Sequence, residues 1–275
     1  MERIVFLNGK FIPAPEARIA VDEPAFLYGW GLFESMRSWR GNIVYLDAHL
    51  KRIKNACVPL ALQFSYSPLE LRKFIQKTVD RNCLKDAYVR LTFSKSARCT
   101  DTVIIARNYQ APALKKYQDG FCACVASYRQ NENNPLARLK SANRLLYQLA
   151  YLSARGEGFD EALFLNSRGY LAEASRSNLF FAQGNDLVTP SLKCGCLEGI
   201  TRKVILTLAK KYRIRVKEGE FSLADLYKAR EAFLTNSLIG VMPLTKVQKK
   251  RIGKKGRPLT EFFMRQYGYL LYGNK

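Results

Sequence analysis

Lys140 is the residue whose surroundings point to covalent chemistry. It follows Pro135-Leu136-Ala137-Arg138-Leu139 and precedes Leu145, Leu146, Leu149, Ala150 and Leu152, whose spacing predicts an apolar helix over residues 140–154. A lysine at the start of such a helix loses water, and with it charge, more readily than one in solvent, as a Schiff-base amine must. Taken alone, any lysine in so basic a chain is a solvated side chain. Gly199-Ile200-Thr201 opens a second predicted helix, over residues 199–212. The free N–H groups and positive dipole end of a helix N-terminus suit a phosphate, and glycine lets the backbone come close. Cys122/Cys124 and Cys194/Cys196 form C-x-C pairs, but zinc sites favour C-x2-C, and His49 is the only histidine. No metal is expected. The cysteines read as core and loop thiols, and His49 as a packed or hydrogen-bonded side chain.

The elements that must position these residues alternate along the chain. Short strands are predicted at residues 4–12, 32–39 and 43–46, and Asp47 is placed to cap a helix. Ser67 with Glu70 makes a capping box for another helix through Asn82. Strands follow at 87–93 and 102–106, then a crossover at 108–116. Beyond it come strands at 121–127, 161–165, 170–174, 178–182, 213–218 and 231–235, with helices at 140–154, 199–212, 222–227 and 259–270. The fold class is α/β (α+β mixed), in two domains parted by that crossover, a small N-terminal α+β domain over residues 1–110 and a larger C-terminal domain over residues 118–275.

Lys and Arg number 45 against 23 Asp and Glu, a net charge of +22 over 275 residues. That permits binding to nucleic acid or anionic membranes, or attraction of acidic substrates. The densest cluster, KVQKKRIGKKGR at residues 246–257, has no interleaved aromatics and reads as a solvated hairpin, so nucleic-acid binding is a remote alternative. No apolar stretch approaches the ~20 residues of a membrane span. The opening MERIVFLNGK reads as strand and turn rather than signal peptide, so a cytoplasmic location with free thiols is expected.

Several segments, in order along the chain, carry a resemblance. They are Phe26-Leu27-Tyr28-Gly29-Trp30-Gly31-Leu32-Phe33-Glu34-Ser35, His49-Leu50-Lys51-Arg52, Lys140-Ser141-Ala142-Asn143-Arg144-Leu145, Glu173-Ala174-Ser175-Arg176-Ser177-Asn178-Leu179-Phe180, Leu197-Glu198-Gly199-Ile200-Thr201-Arg202 and Phe233-Leu234-Thr235-Asn236-Ser237. Together they resemble the class IV aminotransferases, the fold type IV pyridoxal-phosphate enzymes. The resemblance implies pyridoxal 5'-phosphate as cofactor and Lys140 as the lysine that binds it covalently. It implies Glu173 against the pyridine nitrogen, where a carboxylate keeps the ring protonated. Arg52, Ile200, Thr201, Asn236 and Ser237 would hold the phosphate, and a homodimer is implied, each active site lying between the small and large domains. Trp30 departs from the family pattern, which has aspartate between the two glycines.

Within the family three reactions compete. Phe33 stands where D-amino-acid aminotransferases carry tyrosine, and Thr100 where their R-x-H pair has histidine. Branched-chain aminotransferases tend to have G-T-A where this chain has Asn236-Ser237-Leu238. The K-x-x-N-R-L run at Lys140 and the N-x-L-x-x-V-x-P run at Asn236 resemble the lyase that turns 4-amino-4-deoxychorismate into 4-aminobenzoate and pyruvate. Arg98 is the candidate for a substrate carboxylate, although no T-R-G precedes it, and Phe33 and Ser35 are candidate substrate contacts. Ser35 by itself reads as a locally bonded strand hydroxyl.

Overall fold

The computed structural model describes residues 2–253 and 256–272, so Lys254 and Lys255 of the basic cluster lie outside the described residues. The chain divides into two compact units. The first comprises Met1–Gln110 together with Leu139–Asn143, and the second Ala111–Arg138 together with Arg144–Lys275.

In the first unit, β1 (Ile4–Leu7) and β2 (Lys10–Pro13) form a hairpin around Asn8-Gly9. Then come α1 (Pro24–Tyr28), β3 (Gly31–Trp39), β4 (Asn42–Ile43), α2 (Leu46–Cys57), α3 (Pro68–Arg81), β5 (Ala87–Lys95) and β6 (Thr100–Asn108). The strands form one sheet in the order β2-β1-β6-β5-β3-β4. The strict alternation in β5 and β6 puts Val89, Leu91, Phe93, Ile104 and Ala106 on one face, where they pack with Leu50 and Ile53 of α2 and Leu71 and Ile75 of α3. Each of these side chains larger than alanine contributes roughly 1.5–3 kcal/mol by leaving water. The capping box on α3 forms as expected, Ser67 and Glu70 satisfying each other's backbone N–H groups. Asp47 does not cap α2. Tyr45 in the left-handed region begins that helix, and the Asp47 carboxylate takes a hydrogen bond from Arg72 instead.

In the second unit, α4 (Leu114–Asp119) leads into β7 (Phe121–Val125), α5 (Leu145–Gly156), β8 (Glu161–Leu165), β9 (Leu171–Ala174), β10 (Asn178–Gln183) and β11 (Asp186–Pro190). The chain continues through α6 (Ile200–Lys211), β12 (Val216–Gly219), α7 (Leu223–Tyr227), β13 (Ala232–Asn236), β14 (Gly240–Val247), β15 (Lys250–Arg251) and α8 (Pro258–Tyr272). The sheet runs β12-β11-β10-β13-β14-β7-β8-β9, with β15 on β14. It curls so that β9, at one end, returns beside β10. The fold is the mixed α/β, two-part arrangement expected, and no helix of the described residues is long and apolar enough to cross a membrane.

The helix expected over residues 140–154 begins later, at Leu145. Residues 140–142 are extended instead, because β3 offers them an open edge: Phe33 N–H donates to the Lys140 carbonyl (2.9 Å) and Ala142 N–H to the Gly31 carbonyl (2.8 Å). Nor do the leucines of α5 face inward. Tyr147, Ala150 and Ala154 are the buried residues, while Leu145, Leu149 and Leu152 are 70%, 45% and 54% exposed. Apolar spacing located the helix but not the face that it buries.

Candidate active site

Lys140 owes its position to that added edge. Leu32 pairs with Ser141 in an antiparallel bridge, which puts Phe33 opposite Lys140 on the same face of the sheet. Ser141 and Leu32 point to the core, 3% and 1% exposed, whereas the Lys140 ammonium stands 4.7 Å from the centre of the Phe33 ring. Arg90 pairs with Ser35 across β3 and β5, and its guanidinium lies 3.8 Å from the centre of the same ring. Arg90 also donates to Thr92 Oγ1 (3.2 Å), and Ser35 Oγ lies 3.3 Å from the Tyr88 hydroxyl. Phe33 and Ser35 therefore share a face with Lys140. Arg98 lies exposed in the hairpin between β5 and β6. Arg90 went unnoticed in the sequence, although a cation in mid-strand, two residues from each of Tyr88 and Thr92, was the available signal.

The opposite face of β3 carries Glu34, 1% exposed. Arg52 of α2 grips its carboxylate with both nitrogens of a fork, at 2.7 and 2.6 Å, and His49 Nδ1 lies 2.7 Å from the same carboxylate. Burial works to raise the Glu34 carboxyl, but Arg52 and His49 outweigh it and bring it to about 2. Burial holds His49 below its ordinary value, Glu34 opposes this, and the positive charges of Arg52 and Lys140 add to the lowering. His49 is thus the hydrogen-bonded, packed residue expected from the sequence.

In the second unit Glu173 sits on β9, 4% exposed, and its Oε2 accepts from the Leu197 N–H (3.0 Å). Tyr147 of α5 hydrogen-bonds the same carboxylate, and burial and then the Glu173 charge push its phenol upward. Cys196, beside them, is pushed up to about 12 by burial and then by Glu173, which makes it an inert thiol. Gly199 is the N-cap of α6, so no side chain caps the helix. A Cβ at Gly199 would come within 2.1 Å of Asn178 Oδ1, whose own amide group donates to the Leu197 carbonyl (2.8 Å). Ile200 and Thr201 begin the helix, 4% and 2% exposed. Asn236 organises the turn between β13 and β14: its Oδ1 accepts from the N–H groups of Leu238 and Ile239 (both 2.9 Å), and its Nδ2 donates to the Arg176 carbonyl (3.1 Å) and Ser177 Oγ (3.0 Å). Ser237 lies half-buried in this turn.

The family profile described as amino-transferase class IV matches residues 31–247. The chain belongs to the class IV aminotransferase family. It is 30% identical over 269 residues to an aminodeoxychorismate lyase of Bacillus subtilis, covering 94% of this chain and 91% of that one. It is also 30% identical over 273 residues to a putative branched-chain-amino-acid aminotransferase of Methanocaldococcus jannaschii, covering 94% of each. A crystal structure of the T.th. branched-chain amino acid aminotransferase with pyridoxamine 5'-phosphate superposes with a TM-score of 0.92 at 27% identity, covering 100% of this chain and 96% of that one. This class IV aminotransferase family member is a pyridoxal-phosphate-dependent enzyme.

The described residues fit that cofactor. The uncapped start of α6 presents backbone donors suited to a phosphate. The Thr235 hydroxyl, 1% exposed on the strand that α6 packs against, has no hydrogen-bond partner among the described residues. A buried carboxylate, Glu173, suits a protonated ring nitrogen.

Proposed function

We propose that this chain is a lyase that converts 4-amino-4-deoxychorismate to 4-aminobenzoate and pyruvate, acting as a cytoplasmic homodimer. The observation that carries the reading is the polar, cationic lining beside Lys140. Arg90 and Lys140 flank one Phe33 ring, with Ser35, Tyr88 and Thr92 on the same face. A substrate with carboxylates away from the reacting carbon can form a charge-assisted contact with the Arg90 guanidinium, which a leucine-like side chain cannot. The Bacillus subtilis lyase relative supports the same choice. So do the Asn143 and Asn236 motifs, whose asparagines tie down the Gly29 carbonyl (2.9 Å) and the turn after β13.

Bound pyridoxal phosphate supplies an aldehyde that condenses with amines and a protonated ring that accepts an electron pair. Glu173 keeps the ring nitrogen protonated. Ile200 and Thr201 would hold the phosphate through backbone N–H groups and the Thr201 hydroxyl, with Arg52, already paired with Glu34, and Ser237 contributing an N–H and a further hydroxyl. Asn236 fixes the turn that carries Ser237. Lys140 would hold the cofactor aldehyde and, as a free amine, take the proton from the substrate carbon that bears nitrogen. Loss of that proton, with cleavage of the carbon–oxygen bond on the neighbouring carbon, would leave the substrate's own six-membered ring aromatic. The departing enolpyruvate gains a proton and becomes pyruvate. Arg90 holds a substrate carboxylate throughout. The exposed leucines of α5 offer an apolar face for a second copy.

The test is incubation with aminodeoxychorismate and no keto-acid acceptor. One pyruvate per substrate consumed supports the lyase, and none overturns it. The second reading is a branched-chain aminotransferase, favoured by the Methanocaldococcus jannaschii relative and the T.th. structure. In that case Arg90 would meet the side-chain carboxylate of glutamate, and amino groups would pass from leucine to 2-oxoglutarate. Transamination of D-amino acids is opposed by Phe33 and Thr100.

A further inference from the structure

Tyr267 lies on α8, one turn beyond Phe263, and the two rings are buried on the same face, at 4% and 0% exposure. Phe263 packs on Phe233 of β13, with ring centres 5.7 Å apart. Tyr267 lies against Gly240, the residue that starts β14 straight after the Asn236-Ser237 turn. A Cβ on Gly240 would fall 2.9 Å from the Tyr267 ring, and its φ of +67° also selects glycine. The phenol oxygen reaches 3.5 Å from Thr201 Oγ1. One side chain from the last helix therefore touches the start of α6 and the backbone that follows the β13–β14 turn.

We propose that Tyr267 is a positioning residue for the cofactor phosphate, orienting the Thr201 hydroxyl toward it. The inference rests on the reading above that Thr201 binds phosphate. A hydroxyl carries one proton and two lone pairs. When the phenol donates to Thr201 Oγ1, the threonine proton is directed away from Tyr267 and is free to meet an anion. Each hydrogen bond in such a chain polarises the next. Without the phenol, Thr201 can turn its proton to another acceptor, and the anion loses part of a donor. The expected effect is specific to the phosphate, because only a ligand that carries the anion can use the donor that Tyr267 orients.

The test is direct titration of the purified, cofactor-free chain with pyridoxal phosphate and with pyridoxal, followed by absorbance. Tyr267→Phe removes one oxygen, and circular dichroism of the free protein checks that the fold survives. Loss of one hydrogen bond predicts an about 3- to 10-fold weaker affinity for pyridoxal phosphate. Pyridoxal affinity should move by less than about twofold on the same scale. In a Thr201→Val background, Tyr267→Phe should add nothing. Tyr267→Leu, which keeps an apolar filling, should show the same phosphate-selective loss. Equal losses for the two ligands, an unchanged phosphate preference, or additive losses in the double variant each overturn the inference. If the wild type binds both ligands equally well, the phosphate-site reading itself falls. If it prefers the phosphate ester and Tyr267→Phe preserves that preference in full, only the role of Tyr267 falls.

Discussion

Lys140 and Phe33 face each other across two antiparallel segments, and the amine stands 4.7 Å from the ring centre because backbone pairing puts it there. A side chain fixed through its backbone keeps its position better than one on a free loop. Lys140→Ala should therefore leave the fold intact, abolish the borohydride-fixable absorbance band with pyridoxal phosphate, and lower turnover by at least about a hundredfold, the smaller end of what a positioned base contributes. A variant that keeps a fixable yellow adduct at full occupancy would remove Lys140 from the chemistry.

Arg90 offers a kinetic signature. Arg90→Gln keeps an N–H donor group but deletes the charge. If the guanidinium binds a carboxylate in ground and transition states alike, KM should rise by roughly 10-fold or more with kcat little changed. A fall in kcat at constant KM would instead tie Arg90 to the reacting atoms. Arg98→Gln, in the exposed hairpin, should leave both constants unaltered.

The Glu34 pair predicts a pH dependence of stability. Its carboxyl falls from an ordinary 4.5 to about 2 on folding. The unfolded chain therefore takes up a proton first as pH drops. The contribution of Glu34 is complete above about pH 5 and fades as pH falls through 4.5 toward 2. His49 acts in the same sense, since burial keeps it neutral in the fold while the unfolded imidazole protonates below about 6.5. Buried Glu161, whose carboxyl is raised by burial, works against both. Denaturant titrations of wild type and Glu34→Gln should show the largest gap near neutrality and a shrinking gap below pH 4.5. A gap that widens on acidification would contradict the assignment.

Gly199→Ala introduces one methyl group where Asn178 Oδ1 already sits, so it should disturb the start of α6 before anything else. Affinity for pyridoxal phosphate should fall at least about 10-fold, an estimate from the cost of losing one charge-assisted hydrogen bond. Overall helix content should be unchanged. Normal affinity in this variant would separate the helix end from the cofactor.

Leu149→Lys with Leu152→Lys tests the dimer. If α5 meets a second copy, sedimentation should shift from dimer to monomer, as charges placed in an apolar interface core are strongly disfavoured. A double variant that still sediments as a dimer would exclude this face.

Much of this was legible in the residues. The capping box of Ser67 and Glu70, the strand alternation at Val89 and Leu91, and the glycine-led start of α6 are local patterns, and local patterns survive into the fold. Lys140 itself stood out, but for the wrong neighbour: its apolar successors suggested a helix, whereas a bare strand edge more than a hundred residues earlier claimed it. Arg90 and Tyr267 were hidden for the same reason. Arg90 matters because of register between β3 and β5, and Tyr267 because of how a distant helix packs. Spacing from Tyr88 and Thr92 marks the strand face of Arg90 but not its partner across the sheet, and the packing of α8 leaves no trace in sequence spacing.

The short piece Leu139–Asn143 belongs with the first unit although the chain on both sides of it belongs with the second. A gene cut after Gln110 would therefore yield a polypeptide that ends before its own outermost backbone partner has been made. Gly31 and Phe33 would have no Ala142 or Lys140 to bond, and the bare edge would invite pairing between molecules. Supplying the pentapeptide in trans, or grafting it through a short linker, should cure that stickiness. It would also return Lys140 to a fragment that contains none of Glu173, Thr201 or Asn236.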